Sequence, residues 1–149
     1  MKYVLAKLTQ YIELTGRGSQ PDNQDLCNFI NPEVDIEHIL PRKPANVPPE
    51  FRDRDEYDHF AHRLGNLILV EKTINTSISN EGYDMKKEGY KRSKFLLTKS
   101  IAQDVSFGKD TRMTRVSRLL RQYPDWGKEA IEDRQRLLSN LSRLVWGVD

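Results

Sequence analysis

The stretch Val34–Pro41 reads VDIEHILP and carries two carboxylates and one imidazole within an otherwise apolar run. Ionisable side chains in such a run face water, an opposite charge or a metal, because burying an isolated charge is costly. Pro41 then ends the run, since proline cannot donate to a strand ladder. Clusters of this kind are typical of functional sites. We predict a metal-dependent nuclease site here, with His38 as the base and Glu37 as a metal ligand.

Length and composition favour a soluble chain with a modest core. Its 149 residues suffice for one domain that buries roughly two-thirds of its unfolded surface. No apolar run approaches the roughly 18 residues of a membrane helix, and charge interrupts Met1–Lys7 too early for a signal peptide. Cys27 is the only cysteine, so no internal disulfide and no cysteine-based zinc site can form. We expect a cytoplasmic protein without membrane contact.

The net charge of +2 conceals an uneven distribution. Residues 32–58 carry eight acidic and four basic side chains, whereas residues 86–121 carry eleven basic and three acidic ones. This division suits an enzyme that binds both a cation and a polyanion, although a basic helical surface can also be merely solvated. Part of the basic half is an arginine ridge that can either follow a DNA backbone or pair with acids of the last helix. The ridge consists of Arg112, Arg115, Arg118 and Arg121.

Hydrophobic periodicity predicts two strands among helices. The strands cover residues 34–40 and 64–70, and Thr73 is a plausible N-cap for the helix that follows. Two strands alone are marginally stable, so we expect helices to pack on them in a mostly helical α+β fold. Further helices are predicted at residues 3–14, 22–29, 84–93, 95–103 and 111–122, with a last helix capped by Asp125.

Phosphodiester hydrolysis needs a base for water and a cation for the developing charge. Histidine is a natural base because its ordinary pKa lies near neutrality. Asn66, assigned to the second strand, can bond the imidazole of His38 and fix its tautomer. Asn75 and Asn80 can offer amide oxygens, which suit a hard cation such as Mg²⁺ or Mn²⁺.

These residues form a pattern that resembles the HNH nucleases. The pattern is DIEHILP at residues 35–41, LGNL at 64–67, NTSISN at 75–80, then Lys86-Lys87 and Tyr90. It resembles most the C-terminal HNH domain of the GmrSD-type, modification-dependent restriction endonucleases. The resemblance extends over residues 34–102, and the ending Leu144-Val145-Trp146 is also similar to that family's usual close.

The resemblance implies a role for each matching residue. Glu37 binds one divalent ion, Mg²⁺ or Mn²⁺, and His38 is the general base. Asn66 orients His38 through the backbone, and Asn75 occupies the last ligand position. Lys86 falls where the family has a lysine near phosphate. Further candidate phosphate or DNA contacts in this chain are Lys87, Arg42, Arg112 and Arg115. Asp35 is a further candidate ligand, and Asn80 and His62 are possible supporting residues.

The family's fold is the ββα-metal finger, also called HNH or His-Me finger. It implies a core of two short antiparallel strands at about residues 34–92, with supporting helices at about 3–14 and 93–147. We expect residues 1–149 to form a single nuclease domain without structural zinc. It would nick DNA, leaving a 5′-phosphate and a 3′-hydroxyl, as the effector of a bacterial anti-phage restriction system. An NTP-dependent sensor domain or partner subunit would supply recognition.

Other interpretations remain open at this point. A degenerate HNH fold could bind nucleic acid or a partner without cutting, and an RNase or toxin could use the same site. His59 and His62 are three residues apart, but no third histidine or cysteine accompanies them in a zinc-like pattern. Asn80 could be a helix C-cap before Gly82. Tyr90 is more typical of a core residue than of a base-stacking one.

Overall fold

A computed structural model of the protein describes residues 1–17, 25–78, 80–105 and 116–148. Within these ranges the chain is mostly helical, with one two-stranded sheet. No helix among the described residues has the length and apolar character needed to cross a membrane. The helices are α1 (Lys2–Arg17), α2 (Arg54–Ala61), α3 (Lys72–Ile78), α4 (Tyr83–Arg92), α5 (Leu96–Ala102) and α6 (Lys128–Trp146), and the strands are β1 (Val34–His38) and β2 (Leu67–Glu71).

The two strands pair antiparallel, which confirms the predicted α+β fold with a ββα-type core. Val34 lies opposite Glu71, and His38 lies opposite Leu67. The pairing continues one step beyond His38, since the backbone N–H of Ile39 donates to the carbonyl of Asn66 at 3.0 Å. The helix α3 begins immediately after β2, whereas α2 lies between the two strands in the chain.

The second strand begins three residues later than predicted, because residues Leu64–Asn66 form a 3-10 turn. Gly65 lies in this turn, directly against α6. A Cβ atom placed on Gly65 would lie 2.2 Å from the carbonyl oxygen of Ile131. The assignment of Asn66 to the strand was therefore wrong. Asn66 ends the turn that precedes β2 and is fully buried there.

The sheet and the helices around it share the buried core. Every residue of β2 from Leu67 to Val70 is buried, as expected for a strand covered on both faces. Thr98 of α5 fixes one helix to this strand by donating to the carbonyl of Leu69 at 2.5 Å. One core cluster lies directly behind the candidate site and consists of Ile39, Ile68, Val70, Ile74, Ile78, Tyr90, Ile101, Ala102 and Tyr123.

Helix α1 extends beyond the predicted residues 3–14 and braces two other elements. The buried carboxylate of Glu13 accepts a hydrogen bond from the backbone N–H of Leu96 at 2.5 Å, at the start of α5. Burial raises the pKa of Glu13, although Arg17 pairs with it at 2.6 Å. At the other end of α1, the ammonium of Lys2 donates to the carbonyls of Asn31 and Val34. The first helix thereby fixes the start of β1.

The last helix begins at Lys128, so Asp125 does not cap it. A distant carboxylate takes that place, because Glu50 accepts from the backbone N–H of Lys128 at 3.0 Å. Thr73 does not cap α3 either, since that helix begins one residue earlier at Lys72. In the segment predicted to be helical at 22–29, residues 26–28 form a 3-10 turn. The predicted helix at 111–122 falls partly outside the described residues.

Candidate active site

One cleft of about 400 Å³ collects six of the predicted site residues. It opens between the end of β1, the loop after it, and helices α3 and α4; we call it the β1–α3 cleft. Strand alternation would place His38 opposite Glu37, yet both line this cleft because His38 is the last residue of β1. The lining residues are Glu37, His38, Pro41, Arg42, Asn75, Thr76, Asn80 and Lys86.

His38 is half-buried, and its pKa is lowered to about 4. Burial is the main cause, because it disfavours the charged imidazolium. The positive charges of Arg42, His62 and Lys86 add to the effect. The imidazole is therefore neutral at physiological pH and has a ring nitrogen with a free lone pair for a proton, as a general base requires.

His62 lies beside His38 at the end of α2. The two rings meet edge to face, with centroids 5.8 Å apart. Nδ1 of His62 lies 2.7 Å from the carbonyl oxygen of Asp58. Because a carbonyl only accepts, Nδ1 of His62 carries a proton in this contact. The structure thus places the predicted supporting residue against the candidate base.

Glu37 is paired with Lys86 inside the cleft wall. Nζ of Lys86 lies 2.5 Å from Oε1 of Glu37, and both residues are buried. Burial raises the pKa of Glu37 and outweighs the attraction of Lys86, which acts in the opposite direction. The hydroxyl of Tyr90 lies 3.4 Å from the same Oε1. Both contacts use Oε1, so Oε2 is the oxygen of Glu37 that these two neighbours leave for a cation.

The ammonium of Lys86 contacts three acceptors within the protein. Besides Glu37, it donates to the carbonyls of His38 at 2.8 Å and Ile39 at 3.4 Å. An ammonium has three N–H donors, and these three acceptors account for all of them. Lys86 therefore fixes the end of β1 in this structure, and a phosphate contact would need it to exchange one of these partners.

Asp35 and Asn75 connect β1 to α3. Nδ2 of Asn75 donates to Oδ2 of Asp35 at 3.1 Å. With the nitrogen of Asn75 held in this way, its Oδ1 is the atom available as a ligand. Asp35 and Glu37 share one face of β1 because they are two residues apart. Two carboxylates and an amide oxygen therefore lie on the same side of the strand.

The amide of Asn66 does not contact the imidazole of His38. Its Oδ1 accepts from the backbone N–H of Leu40 at 2.7 Å, and its Nδ2 donates to the carbonyls of Leu40 at 3.0 Å and Ala61 at 2.8 Å. Asn66 thus holds the backbone two residues beyond His38. This contact agrees with orientation through the backbone and not with direct control of the tautomer.

Of the remaining predicted residues, two lie at the cleft, one lies away from it, and two fall outside the described residues. Arg42 is exposed at the β1–α3 cleft, where it can meet an anion. Asn80 lines the cleft and donates to the carbonyl of Lys43 at 2.9 Å, which holds the loop after β1. Lys87 lies elsewhere, because its ammonium contacts Asp84 and the carbonyl of Pro124. Arg112 and Arg115 lie outside the described residues.

The donors around the cleft are carboxylate and amide oxygens, which are the ligand types that hard divalent ions prefer. Among the described residues, no group of three or more histidine, cysteine, aspartate or glutamate side chains is arranged to hold a metal. Mg²⁺ keeps several waters and takes only one or two carboxylates from a protein. Glu37 and Asn75 line the cleft, whereas Asp35 does not and is linked to it by its hydrogen bond to Asn75.

The sequence did not identify two residues that support the site, the buried Arg134 and the partly buried Trp126. Arg134 is 1% exposed, and its Nη1 donates to the carbonyls of Gly65 at 2.7 Å and Leu67 at 2.9 Å. Helical spacing offered a signal, since Arg134 falls between Ile131 and Leu138 on the apolar stripe of α6. The other residue is Trp126, whose indole N–H donates to Oδ1 of Asn66 at 2.9 Å. Its partner lies 60 residues away, so no local pattern indicates it.

Comparison with known proteins gives one match. The family model described as the C-terminal domain of GmrSD restriction endonucleases matches residues 1–141 of the 149-residue chain. Comparisons with curated proteins and with solved structures gave no match. The match includes every described residue of the β1–α3 cleft and confirms the resemblance inferred from the motifs. The chain therefore belongs to the family of GmrSD restriction endonuclease C-terminal domains.

Proposed function

We propose that the protein is a divalent-metal-dependent DNA endonuclease that nicks one strand at a time. The observation that carries the proposal is the convergence of Glu37, His38 and Asn75 on one cleft, in a chain of a restriction endonuclease family. A single cleft of this kind supplies one base and one cation site. A lone molecule would therefore cut one strand, and double-strand cleavage would need two molecules to pair.

His38 takes the proton in the proposed reaction. A water molecule attacks phosphorus and gives its proton to the unprotonated ring nitrogen of His38. The bond from phosphorus to the 3′-oxygen breaks, and the departing 3′-oxygen takes a proton from solvent water. The products are a 5′-phosphate and a 3′-hydroxyl. A neutral imidazole is ready for this step, and the lowered pKa of His38 keeps it neutral well below pH 7.

Glu37, Asp35 and Asn75 would hold the divalent ion, Mg²⁺ or Mn²⁺. When bound, such an ion neutralises the charge that builds on the phosphate and the leaving oxygen. Glu37 would use the carboxylate oxygen that Lys86 does not contact. The hydrogen bond between Asn75 and Asp35 fixes the orientation of both side chains before any ligand arrives. That pre-organisation lowers the entropy cost of binding.

Arg42 would meet the DNA backbone at the mouth of the cleft. It is exposed and belongs to the same loop as Pro41, directly after the residues that perform the chemistry. We propose that recognition of modified DNA belongs to an NTP-dependent sensor domain or partner subunit. The protein would then serve as the nuclease effector of an anti-phage restriction system.

A plasmid nicking assay tests the proposal. Supercoiled DNA is incubated with the protein and Mg²⁺, Mn²⁺ or EDTA, and the nicked form is quantified. We expect nicking with either ion and none with EDTA. His38→Ala should slow nicking by about 10²- to 10⁴-fold, the usual contribution of a general base. His59→Ala is the matched control, because His59 is exposed on α2 and does not line the cleft.

Each outcome has a clear meaning. Equal nicking by the wild type and His38→Ala would overturn the proposed chemistry. Binding of the plasmid by the wild type without nicking under either metal would favour a non-cutting binding module. Cleavage of a single-stranded RNA of matched length, with the plasmid left intact, would replace DNA by RNA as the substrate.

A further inference from the structure

The amide of Asn66 uses its full hydrogen-bonding capacity. Its nitrogen has two donors, which contact the carbonyls of Leu40 and Ala61, and its oxygen has two lone pairs. One lone pair accepts from the backbone N–H of Leu40, and the other accepts from the indole of Trp126 at 2.9 Å. Because the side chain is also fully buried, its orientation depends on these four contacts.

The two contacts with Leu40 fix the turn that leads out of the candidate site. Leu40 lies two residues after His38 and directly before Pro41 and Arg42, which line the β1–α3 cleft. Pro41 is held from another side, because its carbonyl accepts from the hydroxyl of Tyr57 at 2.5 Å. A shift of the Leu40 backbone would therefore move His38, the candidate base, relative to Arg42, the candidate phosphate contact.

The indole of Trp126 is itself held in place by two tyrosines. Its ring lies 5.5 Å from that of Tyr83 and 5.2 Å from that of Tyr123, measured between centroids. The hydroxyl of Tyr83 donates to the carbonyl of Tyr123 at 2.6 Å, and the hydroxyl of Tyr123 donates to Asp133 at 2.9 Å. The packing of the Trp126 ring against Tyr83 and Tyr123 therefore fixes the orientation in which its indole N–H points at Asn66.

We propose that Trp126 is a positioning residue for the nuclease reaction. It acts through Asn66, whose carbonyl oxygen it orients, and thereby keeps the Leu40–Pro41 turn in the geometry that the base requires. The inference rests on the proposed function for its catalytic consequence. Its structural part, control of the Leu40 backbone by a side chain from the segment before α6, stands without it.

Trp126→Phe tests the role because it removes the N–H donor and retains an aromatic ring between the tyrosines. Trp146→Phe is the matched control, since Trp146 is 42% exposed at the end of α6. Two quantities are measured in each protein: amide hydrogen exchange at Leu40, and the kcat and KM of plasmid nicking. For Trp126→Phe we expect exchange at Leu40 to be about tenfold faster. We also expect kcat to fall about tenfold with KM within about twofold, the pattern of misplaced groups.

The outcomes separate this inference from the proposed function. Unchanged exchange at Leu40 in folded Trp126→Phe overturns the inference, whatever the activity. Faster exchange with unchanged kcat also overturns it, because the turn would then not matter for the reaction. If the wild type fails to nick with either metal, the proposed function fails, and faster exchange at Leu40 still supports control of the turn by Trp126.

If Trp126→Phe does not fold, a second measurement on another variant tests the inference. In the Trp146→Phe protein, Trp126 supplies the only indole N–H, since the chain has two tryptophans. Its signal is followed by ¹⁵N NMR during exchange into heavy water. Slow exchange, comparable to that of amides in β2, supports the hydrogen bond to Asn66. Exchange as fast as that of a free indole overturns the inference.

Discussion

Lys86 and Glu37 form a buried ion pair, with Nζ 2.5 Å from Oε1, in the wall of the β1–α3 cleft. The positive charge of Lys86 offsets the negative charge of the Glu37 carboxylate. The remaining donors of Lys86 hold the carbonyls of His38 and Ile39. One side chain of α4 therefore fixes both the candidate ligand and the backbone of the candidate base.

Lys86→Met should destabilise the protein by about 3–5 kcal/mol. The substitution leaves the buried carboxylate of Glu37 without an opposite charge, and this costs more than removing both charges of the pair. Glu37→Gln combined with Lys86→Met should therefore recover part of the loss. Urea unfolding of the wild type, Lys86→Met and the double variant measures the free energy of unfolding of each. Lys87→Met is the control, with an expected cost of about 0.5 kcal/mol, because Lys87 pairs with an exposed Asp84. Similar losses in the two single lysine variants would contradict the prediction.

The sequence was informative where chemistry is local and less so where contacts are distant. Val34–Pro41 predicted a strand with a site at its end, because alternating apolar residues and the proline act within a few positions. Asn66 was assigned to a strand because LILV continues the same pattern. The structure places it in a turn, and Gly65 contacts Ile131, 66 positions along the chain.

Ion pairs and caps show the same limit. Lys86 resembles a phosphate contact in sequence, and only the folded chain brings it to Glu37, 49 residues away. Asp125 has the chemistry of an N-cap, but Glu50 reaches the start of α6 from 78 residues away. A carboxylate near a helix start is predictable, whereas the choice between two carboxylates depends on tertiary packing.

His38 should make the protein less stable as the pH falls. Its pKa is about 4 in the folded protein and about 6.5 when unfolded, so the unfolded chain binds the proton more readily. The stability is full above about pH 6.5 and is lost as the pH falls towards 4. Between about pH 7 and pH 5 the loss should be about 1 kcal/mol, since half-exposure reduces the effect.

The comparison with His38→Gln isolates this contribution. Glu37, whose pKa is raised, changes stability in the opposite direction, because its folded form takes up the proton first. Both proteins contain Glu37, so its contribution largely cancels in the difference between them. Urea unfolding at the two pH values measures that difference. A wild type that loses no more stability than His38→Gln would show that the imidazole is not held neutral by the fold.

Asn75→Ala should weaken binding of Mn²⁺ by about tenfold or more. The variant loses the amide oxygen and also frees Asp35 from its hydrogen bond at 3.1 Å, and supporting contacts of this kind typically contribute 10- to 100-fold to metal affinity. Titration of free Mn²⁺, followed by electron paramagnetic resonance, measures affinity without any DNA. Thr76→Ala is the control, because that hydroxyl is engaged with the carbonyl of Lys72 at 2.9 Å. Equal affinities in the two variants would remove Asn75 from the ligand set.

Arg42→Ala should weaken DNA binding and reduce its salt dependence. Each phosphate contact contributes about one unit to the slope of log affinity against log salt. We therefore expect the slope to fall by about one for a duplex of fixed length. Arg52→Ala is the matched control, since Arg52 is exposed, pairs with Asp53 and lies outside the β1–α3 cleft. An unchanged slope in Arg42→Ala would show that Arg42 meets no phosphate.

Gly65→Ala should destabilise the protein by about 1–3 kcal/mol, as overpacking of a tight contact does. The added methyl group would lie 2.2 Å from the carbonyl of Ile131, which is backbone of α6 and cannot rotate away. Gly82→Ala is the control, because no atom lies within 4 Å of the added group. That variant should be neutral or slightly more stable, since alanine reduces the freedom of the unfolded chain.

The contact at Gly65 also bears on the site, because Asn66 is the next residue in the same turn. If α6 moves to admit the methyl group, Trp126 and Asn66 are displaced relative to each other, and nicking should slow even where Gly65→Ala remains folded. Thermal unfolding and the nicking rate, measured below the unfolding transition, separate the two effects. Loss of stability in Gly65→Ala with a wild-type nicking rate would show that α6 supports the fold but not the geometry of the turn.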